Sequence, residues 1–160
     1  METVYVETTV IGHLVGRTHP DSIVAARQAA TRAWWSSESS RFHLYVSQLV
    51  LDECAGGDPA AANERLREID SIDLLAVSTA VDGLAGVLIA GKAIPASEPR
   101  DAFHIAVAAV HGMSYLLTWN FKHIANATLR HRIERICREA GFEPPVICTP
   151  EELIGIHDES

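Results

Sequence analysis

Five short segments rich in β-branched and aromatic residues recur along the chain, and one or two stretches with helical spacing of apolar residues separate each from the next. Strands that alternate with helices form a parallel sheet, because each helix carries the chain back to the starting edge. The pattern therefore predicts an α/β fold, a three-layer α/β/α sandwich with a central, mostly parallel sheet. The predicted strands are residues 3–7, 42–47, 74–77, 115–118 and 146–148. The hydroxyl of Thr8 or Thr9 is expected to cap the helix after the first strand, and residues 150–152 are expected to begin a short terminal helix.

Length and composition are those of one globular domain. The chain has 160 residues, of which 48% are hydrophobic and 21% charged, and it shows neither repeats nor a linker. We therefore expect a single domain over residues 1–160. No apolar run is long enough to span a bilayer, and the first residues lack the pattern of a signal peptide, so we expect a cytoplasmic protein without membrane contact. The three cysteines, Cys54, Cys137 and Cys148, have no zinc-like spacing, which predicts reduced, structural thiols.

The formal net charge of −8 argues against broad, charge-driven binding of nucleic acid. It leaves a nuclease open, because acids gathered for a metal ion add to the negative count. One basic surface is predicted on the last long helix. It is either a solvated helix face or a phosphate contact, and its residues are Arg130, Arg132, Arg135 and Arg138, with Lys122 just upstream.

Acidic and amide side chains fall where predicted strands end or the following helices begin. Glu7 closes the first strand, Glu53 lies beside the apolar stripe of the helix after the second, and Asp101 opens the helix before the fourth. Asn120 follows the fourth strand directly. Ligand sites in open α/β sheets lie outside the carboxyl ends of the strands, so these side chains are expected to share a crevice.

Ordinary explanations exist for the same residues. A Glu in Glu53's place is either paired with a cation or part of a site, and an Asp in the first turn of a helix, like Asp101, is favoured by the helix dipole. His104 lies one turn after Asp101 and could pair with it. His104 and His111 are more often structural histidines than metal ligands.

Three sequence segments together resemble the PIN-domain family, in particular VapC-like toxins of type II toxin–antitoxin systems. The segments are YVETTVIGHL, SQLVLDEC and RDAFHIAVAAVHGMSYLLTWNFKHIAN, and their order and spacing cover nearly the whole chain. The resemblance places the family's acidic positions on Glu7, Glu53, Asp101 and Asn120, and its hydroxyl on Thr118. The chain departs from the commonest pattern twice, since Glu7 and Asn120 stand where Asp is usual.

The resemblance implies a PIN-like fold and a metal-dependent endoribonuclease that hydrolyses phosphodiester bonds in RNA. It implies Mg²⁺ or Mn²⁺ held by Glu7, Asp101, Glu53 and Asn120, with Glu7 and Asp101 as inner ligands. Glu53 would orient the attacking water or hold a second ion. Asn120 and Thr118 would bind metal-bound water or phosphate. A cognate antitoxin and a homodimer are the partners that the resemblance implies. With only three carboxylates, we expect one strongly held ion.

Two other classes of function remain open at this stage. The first is a catalytically weak PIN-like module that binds RNA or protein, which the reduced number of acids favours. The second is a phospho-acceptor or small-molecule α/β domain, although the lysine that receiver-type domains carry near the last strand is not evident. A serine hydrolase is disfavoured because the sequence has no GxSxG motif.

Overall fold

The computed structural model describes residues 1–155, and it is a three-layer α/β/α sandwich around a five-stranded, all-parallel sheet. The strands are β1 Thr3–Val6, β2 His43–Ser47, β3 Asp73–Leu75, β4 Tyr115–Leu117 and β5 Val146–Cys148. The helices are α1 Thr8–Leu14, α2 Ser22–Ser37, α3 Gln48–Cys54, α4 Pro59–Ile69, α5 Thr79–Ala90, α6 Pro99–Val110 and α7 Ala127–Glu139. A single 3₁₀ turn, Ser39–Arg41, precedes β2.

The strand order is β3-β2-β1-β4-β5, which puts the first strand in the middle of the sheet. From β1 the chain builds outward through β2 and β3, and it then returns to the other side of β1 to add β4 and β5. The order thus reverses between β1 and β4, where Val6 pairs with Leu117. Connections leave such a point in opposite directions and open a crevice at the carboxyl ends of the two strands.

The centre of the sheet is fully buried. Val4, Tyr5 and Val6 of β1 and Leu116 and Leu117 of β4 have no exposed surface. Strands covered on both faces are apolar throughout, which explains why these segments show a continuous run of apolar residues rather than alternation. Tyr5 differs from the other residues of these strands because it carries a hydroxyl group, which needs hydrogen-bond partners inside the core.

Helix α6 buries a face that is rich in alanine, which allows close packing. Ala102, Ala106 and Ala109 are buried, as are the residues between them on the same side. Helix α7 is kept near α5 by Gly91, where an added Cβ would lie 2.6 Å from Ile136 Cδ1. Helix α7 ends before Gly141, whose φ of +92° is a conformation that a side chain disfavours.

The predicted strands are confirmed, with bounds that differ by one or two residues at some ends. Two local predictions are wrong. Residues 150–152, expected to begin a terminal helix, form a turn. Helix α1 was expected to be capped by a threonine hydroxyl, but Glu7 is its N-cap residue and its carboxylate accepts the Thr9 N–H.

The three cysteines are free and buried, as expected. Burial raises the pKa of Cys54 to about 11, of Cys137 to about 11 and of Cys148 to about 12. In residues 1–155, no helix combines the length and the apolar character needed to cross a membrane. The expectation of one domain covers residues 156–160 as well, which lie outside the described part.

Candidate functional site

Glu7 lies at the carboxyl end of β1 and is only 3% exposed. Its Oε1 accepts hydrogen bonds from the hydroxyls of Thr118, at 2.6 Å, and Thr9, and its Oε2 accepts the Thr9 N–H at 3.1 Å. These neutral donors stabilise a buried carboxylate without a cation. Two of the predicted site residues, Glu7 and Thr118, are therefore in direct contact at the point where the strand order reverses.

Asn120 follows β4 and forms a tight turn with the residues around it. Its backbone N–H donates to Thr118 Oγ1 at 3.0 Å, and its side-chain Oδ1 accepts the backbone N–H of His123 at 3.1 Å. The amide oxygen that a metal ion would use thus already has one partner, although an amide oxygen can accept a second interaction. The turn places His123 beside Asp101.

Glu53 and His104 connect α3 to α6. The Nε2 of His104 lies 2.6 Å from Glu53 Oε1, and the Thr8 hydroxyl donates to the same oxygen at 2.7 Å. The partner of the partly buried Glu53 carboxylate is therefore a histidine. The idea that His104 pairs with Asp101 on its own helix is wrong, because the His104 ring points across to α3.

A buried chain of hydrogen bonds supports this contact from behind. His104 Nδ1 lies 2.7 Å from the Tyr5 hydroxyl, which lies 2.8 Å from Ser47 Oγ. A carboxylate only accepts, so His104 Nε2 carries a proton towards Glu53. Nδ1 then accepts a hydrogen bond from the Tyr5 hydroxyl when the ring is neutral and donates one to the Tyr5 oxygen when the ring is charged, so the contact holds in both states. Burial raises the pKa of Tyr5, which keeps that hydroxyl protonated.

The surroundings of Glu53 favour its ionised form. Burial by itself would raise the pKa of Glu53, because desolvation disfavours the charge. The hydrogen bond and charge of His104 act in the opposite direction, with help from the Thr8 hydrogen bond and the charge of Arg100. Together they outweigh the burial and hold the pKa of Glu53 below its ordinary value.

Asp101, in the first turn of α6, contacts a second histidine, His123. His123 Nδ1 lies 2.7 Å from Asp101 Oδ2, and each side chain is 14% exposed. His123 is the residue whose backbone N–H is held by Asn120. The sequence analysis did not predict this contact. One signal for it was present, since His123 lies three residues after Asn120 in the same turn.

All five predicted site residues belong to one connected set of contacts. Thr118 joins Glu7 to Asn120, and His123 joins Asn120 to Asp101. On the other side, Thr8, which follows Glu7 in sequence, donates to Glu53. The circle closes through α6, where His104, one helical turn after Asp101, contacts Glu53. The three carboxylates thus belong to one connected set of contacts, and each is held by protein donors.

The donor set suits a hard divalent ion in its chemistry. Carboxylate and amide oxygens are the ligands that Mg²⁺ and Mn²⁺ prefer. In the part of the chain that the structure describes, Glu53 Oε2 and Asp101 Oδ1 accept no hydrogen bond, and they remain available. Over the same residues, no group of three or more His, Cys, Asp or Glu side chains is arranged to hold a metal ion by itself.

The basic surface predicted on α7 is partly neutralised. Arg138 contacts Glu143 at 3.1 Å and Glu134 at 3.8 Å, and Arg135 lies 3.9 Å from Glu139. These exposed pairs are typical of a solvated helix face and weigh against phosphate contact as its main role.

Comparison with known proteins gives a likeness in structure alone. No family model matches the sequence, and no curated protein is similar to it. One similar solved structure is the crystal structure of VapBC2 from Rickettsia felis bound to a DNA fragment from their promoter. A chain of that complex shares 13% identity and superposes with a TM-score of 0.59, covering 92% of this chain and 98% of that chain. At this identity the likeness establishes the fold, and it supports the PIN-like architecture expected from the sequence.

Proposed function

We propose that this chain is a metal-dependent endoribonuclease of PIN-like fold, and that it acts as the toxin of a type II toxin–antitoxin pair. The observation that carries the proposal is the connected set of contacts that joins Glu7, Thr118, Asn120, Asp101 and Glu53 at the reversal of strand order. Ligand sites lie at this position in open α/β sheets. The fold shared with a chain of the VapBC2 complex adds support.

In this proposal Glu7, Glu53, Asp101 and Asn120 hold Mg²⁺ or Mn²⁺ through oxygen atoms. The bound ion would supply Lewis acidity towards the scissile phosphate and an acidified water as the nucleophile. His104 and His123 orient the Glu53 and Asp101 carboxylates by fixing one oxygen of each and leaving the other towards the crevice. Thr118 is fully buried, so its role in this proposal is to keep Glu7 and the Asn120 turn in place and not to contact phosphate.

The test compares cleavage of single-stranded RNA by the wild-type chain and by Asp101→Asn, with Mn²⁺ or Mg²⁺ added. We expect metal-dependent cleavage that the substitution abolishes. Asp82→Asn is the matched control, because Asp82 lies in the first turn of α5 as Asp101 lies in the first turn of α6. Asp82 is exposed and is not one of the candidate site residues. Equal cleavage in the presence of EDTA would sink the metal mechanism.

The antitoxin rests on the sequence resemblance and on the VapBC2 complex to which the fold is similar, and the homodimer rests on the resemblance alone. A toxin should co-purify with the product of a small neighbouring reading frame and lose its cleavage activity when bound. Light scattering of the purified chain would give its oligomeric state. A chain that cleaves RNA but has no such neighbour would be a nuclease of another biological role.

A second candidate is a catalytically weak PIN-like module that binds RNA or protein. It is favoured by the hydrogen bonds that already engage both oxygens of Glu7 and by the lack of a preformed three-ligand cluster among residues 1–155. This candidate predicts no measurable Mn²⁺ site in calorimetric titration and no multiple turnover.

A further inference from the structure

The guanidinium group of Arg27 is held against two aromatic rings at the edge of the crevice. Its Cζ lies 5.0 Å from the ring centroid of Phe121 and 5.7 Å from that of Trp119. Arg27 belongs to α2, whereas both aromatic residues belong to the loop after β4. Cation–π contacts of this kind orient a guanidinium group and keep its plane fixed.

Arg27 has no acidic partner that would explain its position. Within residues 1–155 no carboxylate forms an ion pair with it, and its guanidinium N–H groups donate no hydrogen bond to the protein. Asp21 is close enough to sense its charge, but the Asp21 carboxylate caps α2 through Ile23 and Val24. The planar set of donors on Arg27 is therefore free for a ligand.

Other arginines of the chain show the contrast. Arg32 donates to the carbonyls of Leu14 and Gly16, and Arg65 donates to those of Cys54 and Gly56. The donors of these two side chains are therefore used within the protein, on backbone carbonyl groups. Arg27 instead lies against two rings with its donors unengaged, and a guanidinium group with free donors can bind phosphate oxygens in pairs.

Of the two aromatic residues, Trp119 is buried and hydrogen-bonded, whereas Phe121 is exposed. Trp119 is 5% exposed, its backbone N–H donates to Thr9 and its Nε1 donates to Thr31. Phe121 leaves 45% of its surface exposed, so part of its ring is open to a ligand. Phe121 follows Asn120 directly, so the open ring lies immediately beside the candidate site.

We propose that Arg27 and Phe121 form a subsite for one nucleotide of single-stranded RNA next to the acidic crevice. Arg27 donates hydrogen bonds to a backbone phosphate, and the exposed ring of Phe121 stacks on the neighbouring base. Unpaired bases stack on aromatic side chains and on guanidinium planes, whereas paired bases are hidden. On a chain with a net charge of −8, such a local cation gives an anionic strand a defined place to bind.

This inference rests on the proposed function, and binding tests it separately from cleavage. The probe is a short fluorescein-labelled single-stranded RNA of random sequence, and the read-out is fluorescence anisotropy across a salt series. All variants carry Asp101→Asn so that the probe stays intact. Phe121→Leu should weaken binding about 5- to 150-fold, the range for loss of one base stack. Arg27→Gln should weaken binding and lower the salt slope by about one phosphate contact.

Arg67→Gln is the matched control, because Arg67 is an exposed arginine on α4 with the same change of charge. It should leave both affinity and salt slope unchanged. Arg27→Lys, which keeps the charge but loses the planar donors, should fall between wild type and Arg27→Gln. If thermal unfolding shows that Arg27→Gln does not fold, the RNA affinities of Arg27→Lys and Phe121→Leu test the subsite.

The outcomes separate the inference from the function. If the wild-type chain cleaves RNA but Arg27→Gln and Phe121→Leu bind the probe as tightly as their parent, the subsite is wrong and the nuclease stands. If the wild-type chain neither binds nor cleaves RNA, both proposals fail. If the two variants lose binding to a co-purified protein partner and keep the RNA affinity, the unit is a protein contact and the subsite is wrong.

Discussion

His104 on α6 and Glu53 on α3 are joined across 2.6 Å, between Nε2 and Oε1. The imidazole is 1% exposed and the Glu53 side chain 20%, so the contact reaches from the core to the crevice. Behind it, Tyr5 and Ser47 complete a chain of hydrogen bonds that ends inside the sheet. The orientation of Glu53 is thereby set by core residues.

Tyr5→Phe should destabilise the protein by about 1–3 kcal/mol, the cost of leaving buried polar groups without a partner. The substitution removes one hydroxyl and leaves His104 Nδ1 and Ser47 Oγ facing an apolar ring. Urea unfolding measures the change. Tyr45→Phe is the control, because the Tyr45 hydroxyl has only a 3.4 Å contact with exposed His43, and it should change stability by less than about 0.5 kcal/mol. Equal effects would show that the chain of hydrogen bonds adds nothing.

Glu53 should make stability depend on pH. Its folded-state pKa is lowered, so it binds protons more weakly in the folded chain than in the unfolded chain. Its contribution is present above the ordinary glutamate pKa of about 4.3 and is lost as the pH falls through the lower folded value. The stability difference between wild type and Glu53→Gln, from urea unfolding, should shrink between about pH 7 and the acid range. A difference that stays constant with pH would contradict this.

His123→Gln should weaken Mn²⁺ binding by about 10- to 100-fold, as expected when a residue that orients a ligand is removed. The Asp101 carboxylate would lose the donor that fixes its Oδ2. Isothermal titration calorimetry measures the affinity, and circular dichroism confirms the fold. His131→Gln is the control on the exposed part of α7. Unchanged affinity in His123→Gln would leave His123 a purely structural role.

Asn120→Asp should raise Mn²⁺ affinity if position 120 belongs to the metal shell, since it adds a charge to an oxygen ligand. The new carboxylate can still accept the His123 N–H, so the turn should persist. Titration calorimetry and a cleavage assay follow the change. If neither the Mn²⁺ affinity nor the cleavage rate changes, the role of Asn120 is only to stabilise the turn, and the site consists of three acids.

Much of the fold could be predicted from local sequence. Alternating apolar strands and amphipathic helices define a parallel α/β sheet, because a buried parallel strand and a helix between two strands each leave a distinct hydrophobic pattern. The acids at strand ends also predicted the edge of the sheet that carries the site. A terminal helix at residues 150–152 was predicted wrongly, since a Pro followed by acids also suits a turn.

The partners of the acids were beyond sequence reasoning. His104 is near Asp101 in sequence, yet its ring bonds to Glu53, which is 51 positions away. Only the packing of α6 against α3 decides which carboxylate a buried imidazole meets. The same holds for Arg27 and Phe121, which are distant in the chain and meet because α2 packs beside the loop after β4.

The sequence by itself determined the parallel sheet, the buried strands and the edge at which Glu7, Glu53, Asp101 and Asn120 gather, because each depends on hydrophobic period and strand direction. The tertiary structure alone decided that two histidines and three threonines hold those acids, and that an arginine near them forms no ion pair within residues 1–155. Hydrogen bonds need donors and acceptors to meet within about 3 Å. Only the folded arrangement of helices and loops fixes distances on that scale.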